Sequence, residues 1–180
     1  MVQTALAFLA LAASGTAAQA IQNPAFHPGP LFPQYSQVAT VETARPLPDN
    51  AAFKVAFDIA ERADPGALNR ALVSATRFID MHVENGVPEA NIQLALVIHG
   101  GAVKDLTRTD VYEAGAGEPN ANAELVAALL DYGVNIEVCG QSAAAQGVSA
   151  NDLLPGVEMA LSAMTAHALL QQDGYTLNPF

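Results

Sequence analysis

The sequence has little of four things: cysteine, tryptophan, basic side chains and long apolar runs. Its 180 residues include one cysteine, no tryptophan, and 7 Lys and Arg against 18 Asp and Glu, for a formal net charge of -11. One thiol excludes an internal disulfide, and with four scattered histidines it forms no structural zinc pattern. We expect neither a metal nor an organic cofactor. The shortage of positive charge argues against binding nucleic acid or anionic lipid, because both require a basic surface.

The longest apolar run stands near the amino terminus and is too short to cross a bilayer. Residues 5–13 are Ala, Leu and Phe, and Ala18-Gln19-Ala20 follows as a small-x-small cleavage signature. A spanning helix needs about 20 apolar residues. Residues 1–20 are therefore predicted to be a signal peptide cleaved near Ala20, although residues 1–4 carry no Lys or Arg. A periplasmic or secreted protein, with no membrane span after cleavage, is the expected product.

Residues 21–50 are predicted to form a proline-rich arm. They hold six of the eleven prolines, with Phe26, Phe32 and Tyr35 between them. Proline removes backbone donors and favours extended segments, so an arm is expected here rather than a packed unit. Aromatic side chains in such an arm often pack on the domain or on a neighbouring subunit.

From residue 51 to residue 180 the pattern alternates between strands and helices. Apolar residues alternate through 53–59, form a nearly continuous run at 92–98 and alternate again at 134–138, which predicts three strands, with a fourth at 175–177. Helical spacing follows Asp64-Pro65 up to Gly86, follows Asn122 up to Gly133, and continues from Val157 to Gly174 as a long last helix. This order predicts an α/β fold of three layers, α/β/α, around a mostly parallel sheet of four to five strands.

The parallel sheet brings two chemically active residues to one rim. His99 follows the strand at 92–98, and Cys139 follows the strand at 134–138. Carboxyl ends of parallel strands form one edge, where open α/β sheets bind their ligands. Gly115-Ala116-Gly117 is not a dinucleotide fingerprint, because the third glycine is absent. Residues between Asp105 and Asn120 are instead expected to be a mobile, solvated acidic loop, close enough to the rim to serve as a lid.

The predicted last helix is apolar almost all round. Leu161, Met164, Leu169 and Leu170 leave few polar positions on it. Such a helix is usually buried on more than one side, and in a domain this small that predicts a subunit interface. His167, on the same helix, is expected to be an interface or core histidine.

Several short motifs, in this order and spacing, resemble the DsrE/DsrF-like (YchN-like) family. They are Ile98-His99-Gly100-Gly101, Gly133-Val134, Val138-Cys139-Gly140-Gln141-Ser142, Gly147, Asp152-Leu153-Leu154-Pro155-Gly156-Val157 and Gly174-Tyr175. The resemblance covers about residues 51–180. With its predicted signal peptide and proline-rich arm, the chain looks like the exported, periplasmic branch of the family. It implies a DsrE-like α/β domain that assembles into trimers or hexamers. It also implies that sulfur passes as a persulfide on Cys139, with a sulfur donor or acceptor protein as partner.

The resemblance and the strand ends together give a set of candidate site residues. Cys139 and His99 are the candidate catalytic residues. The candidate ligand-binding residues are Gly100, Gly101, Gly140, Gln141 and Ser142. A thiol between a strand end and a helix start lies near unpaired backbone donors, which favour the thiolate. Residues 142–147 contain no basic side chain, unlike the sulfur-relay members, so only Lys104 and Arg108 remain as cations near the rim.

The function stays open between alternatives. The first is a persulfide carrier or thiol-dependent sulfur-handling protein acting through Cys139. The second is a non-catalytic oligomeric module that binds a small ligand or partner protein at the rim, with Cys139 buried, as free cysteines often are. A third is a purely structural oligomer whose arm wraps a neighbour. An acidic chain favours a neutral or cationic protein partner over an anionic one.

Overall fold

Helices cover both faces of a five-stranded parallel sheet in the computed structural model, which describes residues 25–179. The predicted signal peptide lies outside the described residues. Within them, no helix combines the length and apolar character needed to span a membrane.

The elements follow one another along the chain as strands and helices joined by short turns. They are β1 (Phe26–Pro28), β2 (Gln37–Ala39), β3 (Phe53–Ile59), α1 (Arg70–Glu84), β4 (Ile92–Ile98), α2 (Thr109–Ala116), α3 (Ala123–Tyr132), β5 (Asn135–Cys139), α4 (Gly140–Ala145), β6 (Glu158–Ala160), α5 (Ala163–Gln172) and β7 (Thr176–Asn178). A 3₁₀ segment, Gly100–Leu106, follows β4. β1 and β2 form a separate antiparallel pair.

The main sheet has the strand order β6-β5-β4-β3-β7, and each neighbouring pair is parallel. The predicted α/β architecture with a mostly parallel sheet is confirmed. α5 connects β6, at one edge of the sheet, to β7, at the other. The chain therefore crosses the width of the sheet in this last connection.

One face of the sheet, the core face, carries large apolar side chains. They are Val55, Phe57, Ile59, Leu94, Leu96, Ile98, Ile136 and Val138. α1 and α3 cover this face with buried leucine, isoleucine, valine and alanine side chains. Because strand side chains alternate between faces, the core face accounts for the period-two pattern of β3 and β5.

The opposite face, the polar face, carries small, polar and titratable side chains. They are Lys54, Ala56, Asp58, Gln93, Ala95, Val97, Asn135, Glu137 and Cys139, with His99 one residue beyond β4. α5 covers its centre and buries only Ala166 and Leu170 there. The two outer layers are thus unequal, since α1 and α3 bury several large side chains on the core face and α5 buries only two side chains on the polar face.

The start of α1 differs from the prediction. The helix begins at Arg70, and the side chain of Asn69 accepts a hydrogen bond from the Ala71 N–H as its N-cap. Asp64-Pro65 precedes a turn closed by the Ala67 N–H to the Asp64 carbonyl. A second capping residue five positions later explains the error, because Asn satisfies a free N–H of the first turn as well as Asp does.

The predicted long last helix is wrong in its first part. Residues Glu158–Ala160 form β6, and α5 begins only at Ala163, where the Ser162 hydroxyl caps it. Pairing with the edge of β5 outweighed the helical spacing of Val157 and Leu161. On α5, Met164 and Leu169 are 80% and 59% exposed, so within one chain this helix is not buried on several sides.

The predicted mobile lid is also wrong, because residues Thr109–Ala116 form α2 and Tyr112 is buried. Asp105, expected in a solvated acidic loop, is fully buried. Its carboxylate accepts hydrogen bonds from the Ala63 N–H and the Asn69 side chain, both at 2.8 Å. Burial, partly offset by these bonds, raises the pKa of Asp105.

Part of the proline-rich arm packs against α1 through a turn at residues 29–36, the arm turn. The Asp80 carboxylate, buried in α1, accepts hydrogen bonds from the N–H groups of Leu31 and Phe32 and from the Ser36 hydroxyl. Phe32 is buried with its ring against Tyr132. A Cβ on Gly29 would overlap the Asp80 carboxylate, so only glycine fits at that position.

Candidate functional site

Three titratable side chains of the polar face meet at the carboxyl ends of adjacent strands. Asp58 lies near the end of β3, His99 directly follows β4, and Cys139 ends β5. Ile98 pairs with Val138 in the β4–β5 register, which sets His99 beside Cys139 on the same face. The structure therefore brings the two predicted catalytic residues together at one rim.

The Cys139 thiol lies among hydrogen-bond donors. It occupies the N-cap of α4, and its sulfur accepts from the Ser142 N–H at 3.5 Å. Burial raises the pKa of the thiol, but hydrogen bonds from the Ser142 hydroxyl and from the N–H groups of Ser142, Ala163 and Gln141 outweigh that effect, so the pKa is lowered overall. Ala163 is the first residue of α5, so two helix starts face one sulfur.

Ser142 links the thiol to the end of β4. Its hydroxyl oxygen accepts a hydrogen bond from the Gly100 N–H at 3.1 Å. Gln146, one turn further along, donates its side-chain amide to the Gly100 carbonyl at 2.7 Å and to the Ser142 carbonyl at 3.1 Å. The start of the 3₁₀ segment and α4 therefore hold one another in position around the sulfur.

The remaining predicted ligand-binding residues lie around this arrangement. A Cβ on Gly140 would sit 2.7 Å from the Ala160 carbonyl oxygen, so glycine allows α4 to start tightly against β6. Gln141 donates its side-chain amide to the Leu161 carbonyl at 3.2 Å. A Cβ on Gly101 would lie 3.2 Å from the Cβ of Arg62. The contacts of Gly140 and Gln141 are thus with neighbouring backbone.

His99 shares a carboxylate with a second histidine. Its Nε2 lies 3.1 Å from both oxygens of Asp58, and Nε2 of His167 lies 2.7 Å from Oδ1 of Asp58. Burial raises the pKa of Asp58, but hydrogen bonds from His167 and His99 and the attraction of their positive charge lower it more. Asp58 is therefore an ionised carboxylate at neutral pH, placed between two imidazoles.

The two cations named from the sequence do not pair with the thiol. Lys104 donates to the Gln146 carbonyl at 2.9 Å, which is near the end of α4. Arg108 donates to the Asn151 carbonyl at 2.6 Å and pairs with Asp110. Neutral hydrogen-bond donors thus stabilise the negative form of Cys139 in this chain.

Sequence reasoning missed Asp58 and underrated His167. Asp58 looked like one of the solvent-facing polar residues of an alternating strand, and its parity with Ala56 was the available signal that it shares a face with His99. His167 had no such signal, because its contact with Asp58 depends on where α5 crosses the sheet.

The site residues do not form a metal centre. Among residues 25–179 no cluster of three or more His, Cys, Asp and Glu side chains could hold a metal ion. Asp58 also lies along the N–H direction of each imidazole, which is the place of a hydrogen-bond acceptor.

Comparison with known proteins places this fold and its residues in a family. The family model described as DsrE/DsrF-like matches residues 54–179. A protein of unknown function from Methanobacterium thermoautotrophicum, MTH1491, is 21% identical with a TM-score of 0.52, covering 71% of this chain and 99% of that chain. The ychN protein from E. coli is 19% identical, with the same TM-score and the same coverage of each chain. No curated protein matches the chain.

Proposed function

The chain belongs to the DsrE/DsrF-like family, which is related to sulfur relay, and we propose that it carries sulfur as a persulfide on Cys139. One observation carries the proposal. The sulfur of Cys139 faces the N–H groups of Ser142, Ala163 and Gln141 and the hydroxyl of Ser142, and its pKa is lowered. A thiolate is the nucleophile in sulfur exchange, so this arrangement favours the reactive form.

The proposed reaction is an exchange between sulfur atoms. The Cys139 thiolate attacks a sulfane sulfur of a donor, such as inorganic polysulfide. A new S–S bond forms at Sγ, the donor's S–S bond breaks, and its electron pair leaves on the shortened donor. An acceptor thiolate then attacks the outer sulfur and releases the Cys139 thiolate. No net oxidation occurs, and no second thiol of this chain is needed.

His99 has the role of proton acceptor in this proposal. Its Nε2 faces Asp58, which as a carboxylate can only accept hydrogen bonds, so Nε2 carries the proton. In the neutral form of the ring, the Nδ1 atom is then the unprotonated nitrogen. It can take the proton from the Cys139 thiol and return it when the thiol is regenerated.

A mass measurement tests the proposed function. The purified protein is treated with polysulfide, freed of excess reagent, and its intact mass is recorded. We expect the wild type to gain sulfur and Cys139→Ala to gain none. Ser74→Ala, on the exposed side of α1, is the control and should behave like the wild type. A wild type that gains no sulfur, or a Cys139→Ala variant that still does, contradicts the proposal.

A second candidate function is a non-catalytic oligomeric module that binds a small ligand or partner protein at the rim. One observation favours it: Cys139 is only 5% exposed. In that case iodoacetamide should react slowly with Cys139 in the native protein and show no thiolate titration below pH 8. Rapid alkylation that follows a thiolate titration supports the sulfur carrier instead.

Self-association is also proposed, as a trimer or hexamer. The exposed Leu161, Met164 and Leu169 support it, because several large apolar side chains exposed on and beside one helix are typical of contact regions. Light scattering of the wild type and of Met164→Glu tests it. A monomeric wild type, or an unchanged mass for Met164→Glu, contradicts the proposal that the chain self-associates through α5.

Export to the periplasm, or secretion, is proposed from the sequence of residues 5–20. Amino-terminal sequencing of protein recovered from cells of the native host tests it. A mature chain that begins near residue 21 supports export, and an intact Met1 contradicts it.

A further inference from the structure

We propose that His167 is a positioning residue for the thiol site: acting through Asp58, it holds the imidazole of His99 in one tautomer and one orientation beside Cys139. The inference rests on the proposed function for its chemical purpose. The hydrogen-bond arrangement that it requires can be measured separately.

The first step is the geometry of the shared carboxylate. His167 Nε2 is 2.7 Å from Oδ1 of Asp58, while His99 Nε2 is 3.1 Å from each oxygen. Among residues 25–179, these two imidazoles are the only side-chain partners of the Asp58 carboxylate. His167 makes the shorter contact, so it is the firmer of the two supports.

The second step is the choice of tautomer. An ionised carboxylate has no proton to donate, so each imidazole that bonds to it must donate from Nε2. Neutral His99 and neutral His167 then both carry their proton on Nε2. For His99 this leaves Nδ1 as the acceptor that the proposed reaction requires.

The third step is the unequal burial of the three groups. The His167 side chain is 13% exposed, against 35% for Asp58 and 30% for His99. α5 holds His167 through its buried neighbours Ala166 and Leu170. Without His167, the half-exposed Asp58 would keep only His99 and water as partners and could turn to other rotamers.

The fourth step concerns the other nitrogen of His167. Its Nδ1 is buried and has no hydrogen-bond partner in the described structure. A residue present only for packing would not bring an unsatisfied polar atom into this position, since that atom costs stability. The Nε2 contact with Asp58 is the polar interaction that accounts for a histidine here.

The test compares His167→Leu, which removes the donor, with His167→Gln, whose side-chain amide can replace it. Nitrogen NMR of the histidine rings reports which nitrogen carries the proton. In the wild type we expect the Nε2–H form for His99 and His167. His167→Leu should give His99 a mixture of tautomers, and His167→Gln should restore the Nε2–H form.

The kinetic readout is the pH profile of Cys139 alkylation by iodoacetamide. We expect His167→Leu to slow alkylation at pH 7 by about threefold to tenfold, a fraction of what a well-placed general base contributes. His167→Gln should recover most of the rate. Gln172→Ala, an exposed change on the same helix, is the control and should leave the profile unchanged.

Two results would overturn the inference: a wild-type His99 protonated on Nδ1, or a His99 tautomer and alkylation profile that His167→Leu leaves unchanged. If His167→Leu does not fold, the wild-type NMR spectrum and the alkylation profile of His167→Gln still test the inference. A wild type that gains no sulfur from polysulfide contradicts the proposed function alone, because the tautomer measurement does not depend on sulfur transfer.

Discussion

The two faces of the sheet are built from the same five strands but from different kinds of side chain. On the core face, Phe57, Leu96 and Ile136 are buried under α1 and α3. On the polar face, Asp58, His99 and Cys139 stand at the same strand ends, and α5 covers the sheet with little more than Ala166 and Leu170. The three central strands, β3, β4 and β5, therefore contribute stability on one side and present the site residues at the carboxyl ends of the other.

The difference between the two faces explains how titratable side chains can be accommodated on this sheet. Titratable side chains cannot be placed inside a large apolar core without a high desolvation cost. The thinner layer on the polar face leaves Asp58 and His99 partly exposed, while Cys139 is covered but has several donors. Substitutions on the two faces should consequently separate stability from reactivity.

The largest expected effect on stability comes from the core face. Leu96→Ala removes a fully buried side chain from the middle of β4 and should lower the free energy of unfolding by about 2–5 kcal/mol. Urea denaturation measures this loss. The pH profile of Cys139 alkylation, recorded on the folded variant, should stay like the wild type, and a displaced profile would mean that the two faces are not independent.

A smaller loss is expected where the arm turn meets the outside of α1. Asp80→Ala leaves the N–H groups of Leu31 and Phe32 and the Ser36 hydroxyl without their acceptor and should cost about 1–3 kcal/mol. Limited proteolysis should then cut within residues 29–36 faster than in the wild type. Equal cleavage of the two proteins would show that Asp80 does not anchor the turn.

On the polar face, Asp58→Asn should change stability by no more than about 1 kcal/mol at pH 7, because its partners are partly exposed. The pKa of Asp58 is lowered in the folded protein, so its contribution is present above the ordinary pKa of an aspartate and is lost as the pH falls through the lower folded value. The two proteins should therefore begin to converge in stability as the pH falls to about 4, and converge fully only below the lower folded pKa. A large loss at neutral pH would place Asp58 among the structural residues.

A change in reactivity more than in stability is expected from Ser142→Ala, which removes the hydroxyl that donates to the thiol and accepts from the Gly100 N–H. Loss of that donor should raise the pH of half-maximal Cys139 alkylation, which in the wild type should lie below the value of about 8.5 for a free thiol. Stability should change by roughly 1 kcal/mol or less. Gln146→Ala serves as a comparison, because Gln146 bonds to the same segments without touching the sulfur.

Much of the sheet could be predicted from local pattern. Phe53–Ile59 and Ile92–Ile98 have the predicted bounds because apolar periodicity reports directly which residues face a core. β6 could not be predicted, since three residues are too few to show a period and their strand form depends on pairing with β5. The start of α1 was misplaced because two capping residues stand five positions apart and only the packed structure selects Asn69.

Only the site residues at the predicted strand ends could be identified from the sequence. His99 and Cys139 could be brought together because parallel strands end at one rim, whatever the details of their register. The sequence could not predict that Asp58 and His167 belong to the same site, because the hydrogen bond between them links residues 109 positions apart. Backbone N–H donors near the sulfur were predicted from the start of a helix after Cys139. The donor from Ala163 could not be predicted, because its position depends on α5.

The path of α5 across the sheet sets an order of events for a chain being made from its amino terminus. β3, β4 and β5 can pair before the last residues emerge, but Ala163 reaches Cys139, His167 reaches Asp58 and β7 pairs with β3 only when α5 is laid down. The pairing of β3 with a strand more than a hundred residues later is a contact of the kind that forms slowly. The thiol site is therefore completed only by α5: a nascent chain that still lacks this helix has Cys139 with its donors from α4, but neither the Ala163 N–H nor His167.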